Sequence, residues 1–241
     1  MKIYVLLAFC FTGSAAWGQQ IETDRPDQSD GNSIIHPGKW QVESSVYYTV
    51  LHPSVNSLVS SSLLRTGIVK NLEARLLVEQ GYHRNSFLSE TAHSQYPLAV
   101  SLKYKLMEET NTRPSLGGVG YLQLPFTNGS ERKQWSPAFL VIIEKKFSNI
   151  TATINSGVKE EAFENIWEEQ TTVDLKYELS QNLHLFTEYF AQYGHFAPFH
   201  NADAGVLVQF TKHWMAYAAV GTSIQHHPSN YFMNAGFAFA P

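Results

Sequence analysis

Asp24, Asp27 and Asp30 recur at intervals of three, with Arg25 between the first two. Carboxylates so spaced can hold a cation, or the segment can fold back as a plug pinned by charge pairs, Arg25 gripping a carboxylate two-pronged. The plainer alternative is a solvated polar lead-in. A second candidate is His227-Pro228-Ser229-Asn230. A His two residues from a Ser along a strand shares its face, which suits base-activated acyl transfer. Pro228, however, belongs in a loop, and no acidic or amide partner strand is evident to orient the histidine. No Gly-rich phosphate loop or His-Glu-x-x-His motif occurs, and the single cysteine, Cys10, excludes a disulfide framework and a cysteine zinc site. Neither metal nor cofactor is implied, and the chain reads as a non-enzyme.

The elements that must position these residues belong to an unusual composition. The 241 residues carry 17 Lys+Arg against 21 Asp+Glu, a formal charge of -4, with no basic run to serve a nucleic-acid partner. Charged residues make up only 16%, yet no apolar run after residue 11 approaches the roughly 18 residues of a spanning helix. Lys2, the apolar stretch Ile3 to Phe11 and the small residues up to Gly18 have the three parts of a secretory signal peptide over residues 1–18. Residues 19–38 form a polar segment or plug without helical or strand periodicity, and residues 39–241 form the body.

Across that body apolar residues fall at every second position, the period of a strand. Trp167, Val173, Leu175, Tyr177 and Leu179 share one face, with Glu168, Asp174, Lys176 and Glu178 on the other. Leu76 and Val78 oppose Arg75 and Glu79, while Leu102 and Tyr104 oppose Lys103 and Lys105. The pattern predicts twelve strands, near 39–51, 57–68, 72–83, 97–106, 113–124, 135–146, 150–159, 165–179, 183–193, 201–210, 214–224 and 230–239. Tight turns follow even-numbered strands at 69–71, 147–149, 180–182 and 211–213, whereas longer links, such as 83–96 and 125–134, follow odd ones. Met107 to Thr112 and His52 to Asn56 depart from this rule.

Short turns on one side and long loops on the other are expected of an outer-membrane barrel, whose short turns are periplasmic. Alternate strand direction then puts Trp40, Tyr104, Tyr177, Phe210, Trp214 and Phe239 at the periplasmic rim. Tyr82, Trp135, Trp167, Tyr193 and Tyr231 fall at the outer rim, which makes two aromatic girdles. A soluble sandwich or lipocalin-like barrel shares the period, but its apolar face points inward. The expectation is an all-β, antiparallel up-and-down transmembrane barrel with a short N-terminal extension, closed because an open edge in hydrocarbon leaves backbone groups unsatisfied. Lining its lumen, or a solute path, are Glu43, Tyr47, Glu73, Arg75, Glu79, Lys103, Lys105, Asp174, Lys176, His184, Phe186, Glu188 and Phe190, joined by Glu144, Glu168, Glu178, Asp203 and Tyr217. Mixed signs argue against a strongly selective ion pore, and the aromatics offer contacts to a small amphipathic or aromatic solute.

Thr23-Asp24-Arg25-Pro26-Asp27-Gln28, ahead of a first strand opening Gly38-Lys39-Trp40-Gln41-Val42-Glu43, resembles a family of outer-membrane transporters labelled "MetA-pathway of phenol degradation". The resemblance spans essentially the mature chain and implies an outer-membrane β-barrel transporter of a Gram-negative bacterium, with a link to aromatic-compound uptake. Its motif lies at Thr23, Asp24, Arg25, Pro26 and Asp27. Related chains usually finish on an aromatic residue read by the barrel-insertion machinery; here Phe239 precedes Ala240-Pro241. The His227/Ser229 spacing is reminiscent of outer-membrane phospholipase A, itself a twelve-stranded barrel, although the Gly-Arg that should follow is absent. The expected partners are outer-membrane lipid, the insertion machinery and an unidentified small solute. The expected role is a passive channel, with two rivals: a structural or surface-display barrel with a closed lumen, and a lipid hydrolase.

Overall fold

A computed structural model describes residues 21–25, 28–52, 55–85, 90–95, 98–124, 135–160, 166–194, 198–224 and 230–241. Every regular element among them is a strand: β1 Trp40–His52, β2 Val55–Val69, β3 Leu72–Asn85, β4 Glu90–Gln95, β5 Ala99–Met107, β6 Ser115–Gln123 and β7 Ser136–Phe147. The rest are β8 Ile150–Glu160, β9 Trp167–Ser180, β10 Leu183–Tyr193, β11 Phe199–Thr211, β12 Trp214–Ser223 and β13 Tyr231–Phe239. Each sequential neighbour from β5 to β13 pairs antiparallel, and β1 pairs with both β2 and β13, so the sheet closes on itself. The architecture is a closed twelve-stranded antiparallel transmembrane β-barrel.

Thirteen strands make twelve staves because β4 and β5 share one neighbour. The half of β3 nearer the tight turn pairs with β5, Leu72 with Tyr104 through Leu77 with Ala99, and its far half pairs with β4, Gln80 with Gln95 through Asn85 with Glu90. The link expected over 83–96 is therefore partly strand. Here β3 runs on past the short segment 90–95, whose polar residues lack the alternation that marks the other staves.

The alternation decides which face looks where. Leu102 is 57% exposed, Leu175 45%, Val78 44% and Val173 37%, whereas their neighbours Lys103, Glu73, Arg75 and Asp174 are buried. Apolar residues out and polar residues in is the reverse of a soluble barrel, and it is what a bilayer selects. At the short-turn end Trp214 packs on Phe239, ring centroids 4.6 Å apart, and Trp40 on Phe239 at 5.7 Å. Asn71 and Ser148 take positive φ in the two-residue turns there.

Candidate functional site

Residues 21–25 and 28–36 lie inside the barrel as a plug whose two legs both reach the short-turn end. Gly38 (φ 76°) reverses the chain just ahead of β1. One leg then lies directly on β2 at Gly67, where the carbonyls of Ile35 and His36 come within 2.2 Å of the position a Cβ would take. Any side chain at 67 would lift the leg away. The other leg ends at Ile21, buried against Phe186, Leu207, Met215, Tyr217 and Ala238. The Gly31 N–H donates to Asp24 Oδ1 at 2.9 Å and ties the legs together.

On the side of β2, β3 and β5 the plug meets positive charge. Arg65 and Arg75 stand directly opposite each other in the β2–β3 register, a repulsive placement unless carboxylates come between. Glu73 does so from the wall, 2.7 Å from the Nε of each, and Glu43 lies 2.9 Å from Arg65. The plug supplies the rest. Asp24 Oδ2 bridges both arginines, 3.1 Å from Arg65 and in close contact with Arg75, and Lys103 Nζ sits 3.2 Å from both Asp24 oxygens. Arg75 also donates to Asp30 Oδ1 at 2.6 Å, and the Tyr121 hydroxyl donates to Asp30 Oδ2 at 2.7 Å. Arg65 further holds the carbonyls of Glu22 and Ser33, one on each leg.

Three buried cations thus face four buried carboxylates. Burial pushes the Asp24 carboxyl up, but Arg65, Lys103 and Arg75 outweigh it and hold the group well below the usual carboxylate range. Arg25 points elsewhere, to the Tyr47 hydroxyl at 2.6 Å and Ser61 at 3.0 Å.

Across the lumen the charge reverses. Asp174, Glu188 and Asp203 lie in one register row over β9, β10 and β11. Glu188 accepts from the Gln28 N–H at 2.7 Å and from the Ser29 hydroxyl, which also meets Thr172 at 2.7 Å. Asn155 brackets Asp30 through its backbone, accepting from the N–H at 2.6 Å and donating to the carbonyl at 3.0 Å. Glu144 accepts from the Asn32 N–H at 3.1 Å. The lumen charges read as mixed along the chain group in space, Arg65, Arg75 and Lys103 with Glu43 and Glu73 on one side and the row Asp174, Glu188 and Asp203 on the other.

Among the described residues, two cavities flank the plug. The one on the long-loop side, about 340 Å³, is lined by Asp24, Arg25 and Asp30 together with Leu63, Leu77, Glu79, Ala138 and Leu140. The one on the short-turn side, about 200 Å³, is lined by Ile21, Thr23, Glu144, Lys176, Glu178 and His184.

Thr23, Asp24 and Arg25 therefore sit inside the barrel, with Thr23 donating to Glu43 at 2.5 Å; Pro26 and Asp27 lie outside the described residues. Arg75 and Lys103 hold the Asp24 carboxylate, Glu43 accepts from its backbone N–H and Glu73 from that of Ile35, Tyr47 meets Arg25 and Glu188 meets Ser29. Phe186 covers Ile21, and Phe190 meets Phe232 edge-on at 5.7 Å. Lys105 turns away to Glu108, 3.4 Å off at the short-turn end. His227 and Ser229 lie outside the described residues. Sequence reasoning missed Arg65, Tyr121 and Asn155. Counting back from the turn at Lys70 and Asn71 sets Thr66 against Arg75; a bulge between Gly67 and Val69 shifts the register by one residue and brings Arg65 there instead.

Residues 23–240 match the family model described as MetA-pathway of phenol degradation. The chain belongs to that family. No curated protein matches the sequence. Among solved structures, an outer membrane channel from Pseudomonas putida F1 superposes with a TM-score of 0.72 at 11% identity, covering 90% of this chain and all of that one. The KdgM porin follows at 0.59 and 10%, covering 83% and 98%, and the NanC porin at 0.57 and 8%, covering 82% and 98%. Identities so low carry the shared barrel and nothing finer.

Proposed function

We propose that this family member is a non-enzymatic outer-membrane channel for small, amphipathic or aromatic solutes, closed at rest by its own N-terminal segment. The observation that carries this reading is the plug, which lies between two lumen cavities and, among the described residues, is held by hydrogen bonds, ion pairs and the burial of Ile21, with no regular strand pairing. Likeness to outer membrane channels and porins supports the class and the location. Residues 1–18 serve as a cleaved export signal, the apolar band contacts lipid, the insertion machinery seats the barrel, and the short-turn end faces the periplasm. Passage is passive: the plug leaves its seat, and solute diffuses along the lumen between Arg75 and Lys103 on one wall and Asp174 and Glu188 on the other.

Planar-bilayer recording of the full chain tests this. Brief openings are expected from the native protein and sustained ones once Asp24 and Asp30 are both changed to Asn. A correctly inserted barrel that stays silent in both forms would instead make it a structural or display barrel. Release of fatty acid lost in Ser229→Ala would restore the hydrolase reading.

A further inference from the structure

Resting on the channel reading, we infer that the solute is a small organic acid, and that the plug occupies the solute's own carboxylate site. Asp24 and Asp30 mark that site. Arg75 holds both carboxylates through its two terminal nitrogens, Lys103 reaches both oxygens of Asp24 and Tyr121 donates to Asp30. These donors come from three different strands, Arg75 and Lys103 buried and Tyr121 half-buried. Lift the plug away, and the wall keeps Arg65, Arg75 and Lys103 against Glu43 and Glu73, a net positive seat with two guanidinium arms and one ammonium aimed at the vacated positions. Glu73 bridges the two opposed arginines at their Nε atoms, so lifting the plug leaves the terminal nitrogens of Arg75 and the Lys103 ammonium in need of an anion. A carboxylate from outside satisfies this as well as Asp24 does, because a planar guanidinium recognises the group and not the chain carrying it.

The surroundings select the rest of the molecule. The long-loop cavity reaches Asp24, Asp30 and Tyr121; Leu63, Leu77, Ala99, Ala138 and Leu140 make an apolar strip in a wall that also carries Glu79, Gln123, Ser136, Lys159, Glu160 and Gln170. At about 340 Å³ it admits a compact body behind one carboxylate head, with the strip to receive an apolar or aromatic face. Solute and plug then compete for one seat, and binding itself opens the channel.

The test uses the full chain in detergent, with hydrogen exchange read at Gly31, Asn32 and Ile35, whose N–H groups are held by Asp24, Glu144 and Glu73. Benzoate should speed their exchange about tenfold over benzamide or an equal concentration of chloride, the ratio one charge-assisted hydrogen bond supplies. Lys103→Met should abolish the response and Lys103→Arg restore it. Equal effects of benzoate and benzamide, or of benzoate and chloride, overturn the inference, as does an unchanged response in Lys103→Met that retains the barrel's far-ultraviolet signature. Bilayer recording of Asp24→Asn/Asp30→Asn in a potassium benzoate gradient separates this inference from the channel reading. A reversal potential favouring benzoate supports the seat. One favouring potassium overturns the seat and leaves the channel intact. No current in that variant overturns the channel, while the exchange result still judges the seat.

Discussion

Both walls of the lumen set like charges side by side in register, Arg65 and Arg75 on β2 and β3, Asp174, Glu188 and Asp203 on β9 to β11, yet the plug treats them differently. To the basic wall it offers carboxylates, so charge meets charge out of water. To the acidic wall it offers, among the described residues, the Gln28 N–H and the Ser29 hydroxyl. The first contact is the strong one, because separating a buried ion pair strands its partner. The second orients more than it binds. The seat on β2, β3 and β5 therefore governs whether the lumen is open.

Arg75→Met is the hardest blow to that asymmetry. It leaves Asp24, Asp30 and Glu73 without their shared guanidinium, a loss of about 3–5 kcal/mol from plug seating, and should give a constitutively conducting barrel with Gly31 exchanging freely. Asp24→Asn keeps the shape and removes one charge. About 2–3 kcal/mol should go, seen as longer openings in bilayer recordings. Acid should mimic that substitution. The seated carboxyl titrates below its ordinary range, so its contribution is whole above about pH 4 and drains away as pH falls from there toward the lowered value. Open probability should rise as pH falls below about 4. Glu188→Gln should matter least, within about 1 kcal/mol, since an amide oxygen still accepts from the plug. Release of the plug by Glu188→Gln as complete as by Arg75→Met, in the same exchange measurement, would erase the contrast between the walls.

Alternation made much of the barrel legible, because outward Leu102 or Val173 and inward Lys103 or Asp174 differ sharply in polarity. It failed at β2, where Ser61 and Leu63 point inward and Ser60, Ser62 and Leu64 outward, so the two faces look alike and Arg65 escaped notice. It failed again at β4, a polar segment defined only by its partner strand. Segregation of charge across the lumen depends on which staves closure brings face to face, and no local spacing encodes that. The path of residues 21–36 is equally hidden, since irregular backbone has no period, although the charged residues that anchor it stood out by type.

The bend at Gly38 and the crossing at Gly67 leash the stopper to the first stave by a few residues. Once expelled, it stays nearby at an effective concentration on the order of millimolar and returns in a unimolecular step. Opening is then self-limiting: the doorway stays ajar only while a permeant is abundant enough to outcompete a rival that never drifts away.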